Sequence, residues 1–346
     1  MTSSSDTSLT QTLRKLRHHP GPLQEAWTYR FNEPQQNRAL WLRLSILISK
    51  NGFRRMIEVW AVVFEKKGQQ EVGKTLLRQS FDIKKLIVKD DGSFQLGDCE
   101  FGPRQIRGSL QSKTRSLSWD FEMTQEEGAL PGAGRFALYP ATLQKLGIVR
   151  SLASTEDSRL IFQGKTKLDG QDSVWNGARG MRSHFRGPRN GHSWYWGQCQ
   201  YFVDERGQAA DFAFEGLTVR ERIAGPLRTP PLKTFYFWYQ GQAYFFNSLW
   251  DSIRAKSTST LNEWEFQVER DDLVFRGKLR AELKDFCGLS FEDTNGAPLF
   301  VAASMLSDLQ VVVYRKGRLE KAFYSTGKVA YEVVSRKKNP YIPTQG

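Results

Sequence analysis

The chain has 346 residues, is 39% hydrophobic and carries a formal net charge of +13 at pH 7, which suffices for one large or two ordinary domains with a substantial core. No apolar run reaches the roughly eighteen residues of a membrane-spanning helix, and the start, Met-Thr-Ser-Ser-Ser-Asp, lacks the apolar block of a secretory signal, so a cytoplasmic protein is expected, with or without peripheral attachment to a membrane. Three widely spaced cysteines, Cys99, Cys199 and Cys287, build neither a disulfide framework nor a paired-cysteine metal box and read as small buried hydrophobes.

In chain order, residues 1–19 read as a flexible N-terminus with a short helix from Gln11 to Leu16. From Trp41 to Ile48 the residues Leu42, Leu44, Ile46 and Ile48 alternate onto one face, and the run Ile57 to Phe64 follows a loop holding Asn51-Gly52, which predicts an antiparallel pair. Further strands are predicted at Leu117 to Phe121, Trp194 to Val203, Phe212 to Val219, Thr234 to Tyr239, Ala243 to Asn247, Trp264 to Val268, Leu273 to Leu279, Leu309 to Tyr314 and Val329 to Val334. Turns at Asp91-Gly92, Asp169-Gly170, Gln240-Gly241 and Lys316-Gly317 punctuate them. Besides the N-terminal helix, only Ala141 to Leu146, after Pro140, reads as helical. Three prolines between Ala224 and Pro231 interrupt the strand pattern, because proline donates no N–H to a ladder. They suggest a linker at 224–232 between an N-terminal unit, 20–223, and a C-terminal unit, 233–346. The fold class expected is all-β, built from antiparallel barrels.

The segment Gly177 to Trp196 stands out, with Arg179, Arg182, Arg186 and Arg189, the histidines His184 and His192, and no acid. Read as a loop, it is an anion-seeking patch whose guanidiniums could grip a carboxylate, phosphate or lipid head. The strand that follows places Trp194, Trp196, Gln198, Gln200 and Phe202 on one face and Tyr195, Cys199 and Tyr201 on the other. An aromatic inward face with a few polar groups suits an elongated apolar ligand in a barrel. Asp211 and Glu215 share a face of the next strand; turned inward, either carboxyl would be desolvated and held protonated, ready to act as an acid.

These residues resemble the family of carotenoid hydratases (hydroxyneurosporene synthases) and, more distantly, tocopherol cyclases. Ser183-His184-Phe185-Arg186-Gly187 stands where that family has a His-Asn-Trp-Gly element, and Trp194-Tyr195-Trp196-Gly197 where it has a strand with a Trp-Gly pair. Glu25-Ala-Trp27 with Tyr29, Ala39-Leu-Trp-Leu-Arg43, Val59 to Phe64, Ser118-Trp-Asp120 and Leu168-Asp-Gly170 follow the same order upstream. The resemblance implies two lipocalin-like β-barrels and, for the hydratases and cyclases, protonation of an isolated alkene to a tertiary carbocation that water or a hydroxyl captures. It would make His184 the acid or its orienter, with Asp211 or Glu215 behind it and Trp194 or Trp196 facing the cation. The family's Asn and Trp are Phe185 and Arg186 here, and an inward Arg186 would repel a carbocation and favour an anionic ligand.

The leading expectation is therefore a hydrophobic, isoprenoid or fatty-acyl-like ligand, with catalytic candidates His184, Asp211 and Glu215 and ligand-binding candidates Arg179, Arg182, Arg186, Trp194, Trp196, Gln198 and Phe202. Neither a metal nor a cofactor is expected. A non-enzymatic structural or membrane-docking protein is the alternative, and a single-stranded nucleic-acid binder a weaker one, since no recognition module is present. Gly-x-Ser-x-Gly, glycine-rich phosphate loops and His-Glu-x-x-His are all missing, which disfavours hydrolase, nucleotide and zinc chemistry.

Overall fold

The computed structural model describes residues 19–66, 68, 71–126 and 135–345. The expected helix Gln11 to Leu16, and the N-terminal segment except for its last residue, lie outside them. Two antiparallel sheets account for most of the described chain. The first comprises β1 (Leu23–Glu33), β2 (Arg38–Ile48), β3 (Arg55–Glu65), β4 (Gly73–Asp82), β5 (Ile87–Val88), β6 (Phe94–Leu96), β7 (Cys99–Phe101), β8 (Gln105–Gln111), β9 (Ser116–Gln125), β10 (Phe136–Ala137), β11 (Leu152–Leu168) and β12 (Gln171–Gly187). The second comprises β13 (Ser193–Cys199), β14 (Phe202–Val203), β15 (Ala209–Ala210), β16 (Phe212–Arg220) and, after a small separate hairpin of β17 (Arg222–Ala224) and β18 (Leu227–Arg228), β19 (Leu232–Tyr239) and β20 (Gln242–Phe246). It is completed by β21 (Lys256–Ser259), β22 (Glu263–Arg270), β23 (Leu273–Arg280), β24 (Cys287–Glu292), β25 (Pro298–Arg315) and β26 (Arg318–Ser335).

Topology forces both sheets to curl. In the first, β4 and β5 sit at opposite ends of the strand order, yet only residues 83–86 separate them in the chain. In the second, β20 and β21 sit at opposite ends and only residues 247–255, with the short helix Leu249–Arg254, lie between. A sheet whose two edges are tied this closely wraps around its own side chains. In each sheet the first strand is also hydrogen-bonded to the last, β1 to β12 and β13 to β26. The molecule is thus two lipocalin-like antiparallel barrels with few short helices, one of which, Ala141–Lys145, falls where the sequence predicts it. Among the described residues no helix is long and apolar enough to cross a membrane.

The predicted alternation of β2 is realised: Leu42, Leu44, Ile46 and Ile48 join the core of the first barrel, and β2 pairs with β3 throughout. The opposite face of these strands, with Trp41, Trp60, Val62 and Phe64, enters a separate cluster shared with Trp196, Leu217, Tyr236 and Val301 of the second sheet. A third cluster around Phe237, Trp264 and Phe275 fills the second barrel. The strands at the junction are therefore buried on both faces, and this is why β1 and β2 are buried along their whole length. Two-residue turns at Asp169-Gly170, Gln240-Gly241 and Lys316-Gly317 have positive φ at both residues, the backbone a tight hairpin requires. All three cysteines are buried and unpaired.

Two expectations need correction. The proline-bearing segment 224–232 does not separate the sheets: β16 and β19, on either side of it, are adjacent strands. The chain passes from one sheet to the other at residues 188–192. Prolines there interrupt a ladder only locally, as an excursion between neighbouring strands. The segment Gly177 to Trp196 is mostly strand, because β12 runs to Gly187 and β13 starts at Ser193.

Candidate functional site

The inward positions of β1 are Leu23, Glu25, Trp27, Tyr29 and Phe31, so one carboxylate interrupts an otherwise apolar stripe. Opposite them in register, β12 places Arg186 across from Glu25, His184 from Trp27 and Arg182 from Tyr29. Between these strands and the small strands β6 and β7 lies a cavity of about 490 Å³, within the range of roughly 300–1,000 Å³ for small-molecule sites.

Its floor is aromatic. The His184 ring stacks on Trp27 at 4.9 Å, Trp27 meets Phe94 at 5.3 Å, Phe94 stacks on Phe101 at 5.5 Å, and Phe101 on Tyr29 at 5.9 Å. Two carboxylates bracket the imidazole: Nε2 lies 3.0 Å from Glu25 Oε1, and Nδ1 lies 3.8 Å from Glu156 Oε1. Glu25 is 0% exposed. A carboxylate without water needs a positive or donating partner, and here these are His184 and, at 3.7 Å, Arg186 Nη1. Glu25 Oε2 has no hydrogen-bond partner among the described residues. With Nε2 donating to Glu25, the ring presents Nδ1 on the Glu156 side, which is the arrangement of an oriented acid or base. Arg182 is bonded to Asp157 at 2.6 Å, and burial raises the carboxyl of Asp157 above its ordinary range. Burial likewise pushes the Tyr29 phenol up to about 12, so Tyr29 is a neutral hydrogen-bonding group at any physiological pH.

A second group of polar residues is buried between the barrels. Glu215, 1% exposed, accepts from Trp196 Nε1 at 2.9 Å and bonds Thr155 Oγ1 of the first barrel at 2.8 Å. Arg30 of β1 is paired with Glu332 of β26 at 2.6 Å, Trp41 Nε1 donates to the same carboxylate at 3.1 Å, and the Arg30 guanidinium sits 4.1 Å above the Trp196 ring. Burial raises the Glu215 carboxyl to about 7, against the lowering effect of the Trp196 and Thr155 hydrogen bonds. Folding therefore retains a proton that the unfolded chain releases above its ordinary value of 4.5. The stabilisation is complete below pH 4.5 and is lost as pH rises to about 7. Glu215→Gln is expected to remove that slope and to raise the urea midpoint above pH 7; an unaltered slope from pH 5 to 8 would refute it.

No family model and no curated protein matches this chain. Among solved structures it is similar to kievitone hydratase from Nectria haematococca, with a TM-score of 0.50 and 9% identity over 90% of this chain and 89% of that one. It is also similar to a protein assigned as ATTH from Nitrosomonas europaea, with a TM-score of 0.48 and 11% identity over 91% and 93%. The fold is lipocalin-like. At these identities the likeness is one of architecture alone.

Within this lipocalin-like frame the residues singled out from sequence fall into separate places. His184, Arg182 and Arg186 meet in the first barrel's cavity. Arg179 is on the opposite face of β12, bonded to Glu126 at 2.9 Å, and Arg189 donates to the carbonyl of Arg222. The four arginines therefore do not converge, and those on β12 have carboxylate partners elsewhere in the first barrel. Trp194 and Trp196 pack between the barrels, with buried Gln198 on the same face of β13. Phe202 does not share that face. The ladder of β13 ends at Cys199, and Phe202 packs edge-on against Phe212 in the second barrel's core. Asp211 is on the surface, bonded to Trp238 Nε1 at 2.8 Å and Arg159 at 3.2 Å. His184, Asp211 and Glu215 thus do not form one catalytic group; the carboxylates at His184 are Glu25 and Glu156, and its indole is Trp27. The legible signal for Glu25 is its place on the apolar face of β1, whereas that for Glu156 is only three-dimensional.

Proposed function

We propose that the first barrel binds an elongated apolar ligand of isoprenoid or fatty-acyl type, polar or anionic at one end, and that the His184–Glu25 pair exchanges a proton with it. The observation that carries this reading is the chain of stacked rings leading to an imidazole tied to a fully buried carboxylate. The rings Trp27, Phe94 and Phe101 supply apolar area and π faces, and the rim carries Arg182 and Arg186 for a polar end. Because Glu25 and Asp157 offset these guanidiniums, an inward Arg186 is no strong repellent for a developing cation.

In the reaction this favours, protonated His184 delivers the Nδ1 proton to one carbon of a ligand alkene, leaving a carbocation at the other. Water or a ligand hydroxyl forms the new C–O bond, and its proton returns to the imidazole. Loss of a neighbouring C–H proton instead gives isomerisation. Kievitone hydratase has the same architecture, which supports water addition as a reaction this fold accommodates. Protein purified from its native host should release a lipid-like molecule into organic solvent, at up to one per chain by mass spectrometry. His184→Ala and Arg186→Ala should each lower that occupancy severalfold. No extractable lipid together with no binding of retinoid, quinone or fatty-acid probes, or wild-type occupancy in both variants, would refute the assignment.

A further inference from the structure

We propose a second binding site, in the gap between the two barrels, that takes a single carboxylate anchored by Arg43. Arg43, on β2, has its residue 8% exposed and lines an inter-barrel cavity of about 100 Å³. That volume is well below the roughly 300 Å³ at which sites for whole drug-sized ligands begin, so it suits a head group and not a lipid body. Other walls are Arg30, Trp194, Trp196, Asn190 and Glu332, and Ser154 and His184 belong to the partition from the first barrel's cavity.

Among the described residues Arg43 donates no hydrogen bond and has no carboxylate oxygen within 4.0 Å; its Nε is buried and without a partner. The carboxylates nearest in electrostatic terms are already engaged, Glu332 by Arg30 at 2.6 Å and Glu58 by Arg78 at 3.4 Å. The Phe291 ring, 4.4 Å from the guanidinium carbon, offers a π face and no acceptor. An unpaired charge removed from water costs several kcal/mol, and burial accordingly pushes the Arg43 guanidinium down to about 10. Asn190 Nδ2, in the same wall, is a second buried donor without an acceptor. Two guanidiniums face one carboxylate, leaving one positive charge uncompensated, with indoles beside it. A planar acid with two acceptor oxygens and a small apolar substituent meets all three features.

The test is isothermal titration with sodium acetate and with sodium octanoate, each at constant ionic strength against chloride. Acetate should bind saturably to the wild-type chain, at least tenfold more weakly to Arg43→Met and severalfold more weakly to Asn190→Ala, which removes an unpaired donor and leaves the fold intact. If octanoate loses the same affinity in Arg43→Met, the site admits the head of a longer chain; if octanoate is unaffected while acetate is lost, it admits a free small acid. Absence of saturable acetate binding in the wild type, or wild-type affinity in both variants, overturns the proposal. Lipid retention in the first barrel is read separately, so its failure leaves this result standing.

Discussion

Replacing Arg30 with methionine is expected to lower the unfolding free energy by about 3–5 kcal/mol, the cost of leaving one partner of a buried ion pair alone. Arg30 and Glu332 are bound at 2.6 Å with side chains 7% and 9% exposed, so water re-solvates the orphaned carboxylate only in part. The effect should exceed that of an isolated contact, because Glu332 also accepts from Trp41 and Arg30 covers Trp196. Adding Glu332→Leu should restore most of the loss, since two apolar groups in place of a pair can be neutral. Guanidinium-chloride unfolding by fluorescence and circular dichroism measures both. The ions belong to different barrels, and a loss below about 1 kcal/mol would mean that the seam between them is wet.

Gly180→Ala is expected to cost more than about 3 kcal/mol, at or beyond the upper end for overpacking, and to disturb the cavity. A Cβ at Gly180 would stand 2.2 Å from the carbonyl oxygen of Arg30 and 2.4 Å from Phe31 Cβ. The first neighbour is backbone and cannot rotate away, so β12 would have to part from β1. Those two strands also fix the Trp27–His184 stack, so lipid occupancy should fall along with the thermal midpoint. A variant with wild-type midpoint and occupancy would show that the strands have slack at this point.

The architecture was legible because apolar and polar residues alternate cleanly where one face meets a core, as in β2 and β3. It was not legible in β12, where inward positions carry Gly180, Arg182, His184 and Arg186. Polar groups that line a cavity erase the periodicity that marks a strand, and the segment read as a loop. The His184 segment stands out by its unusual composition, whereas Glu25 and Trp27 accompany it in a family pattern and Glu25 is marked further only by interrupting the apolar face of β1. Their partnership depends on the pairing of strands about 160 positions apart. Prolines mark any interruption of a ladder, including a detour between adjacent strands such as β16 and β19, so they do not locate the passage between barrels. Cross-strand neutralisation of the arginines by Glu25, Asp157 and Glu126 likewise has no local trace.

In each barrel the opening strand is hydrogen-bonded to the closing one, β1 to β12 and β13 to β26, and this bears on biogenesis. On the ribosome, the first barrel can gain its last ladder once residue 187 has emerged, whereas the second must wait for residues beyond 330. Until then the inter-barrel face of the first half, with Trp41, Trp60 and Phe64, has nothing to cover it. Nascent chains stalled between these points should be the species that chaperones hold, and the ones that aggregate when they do not.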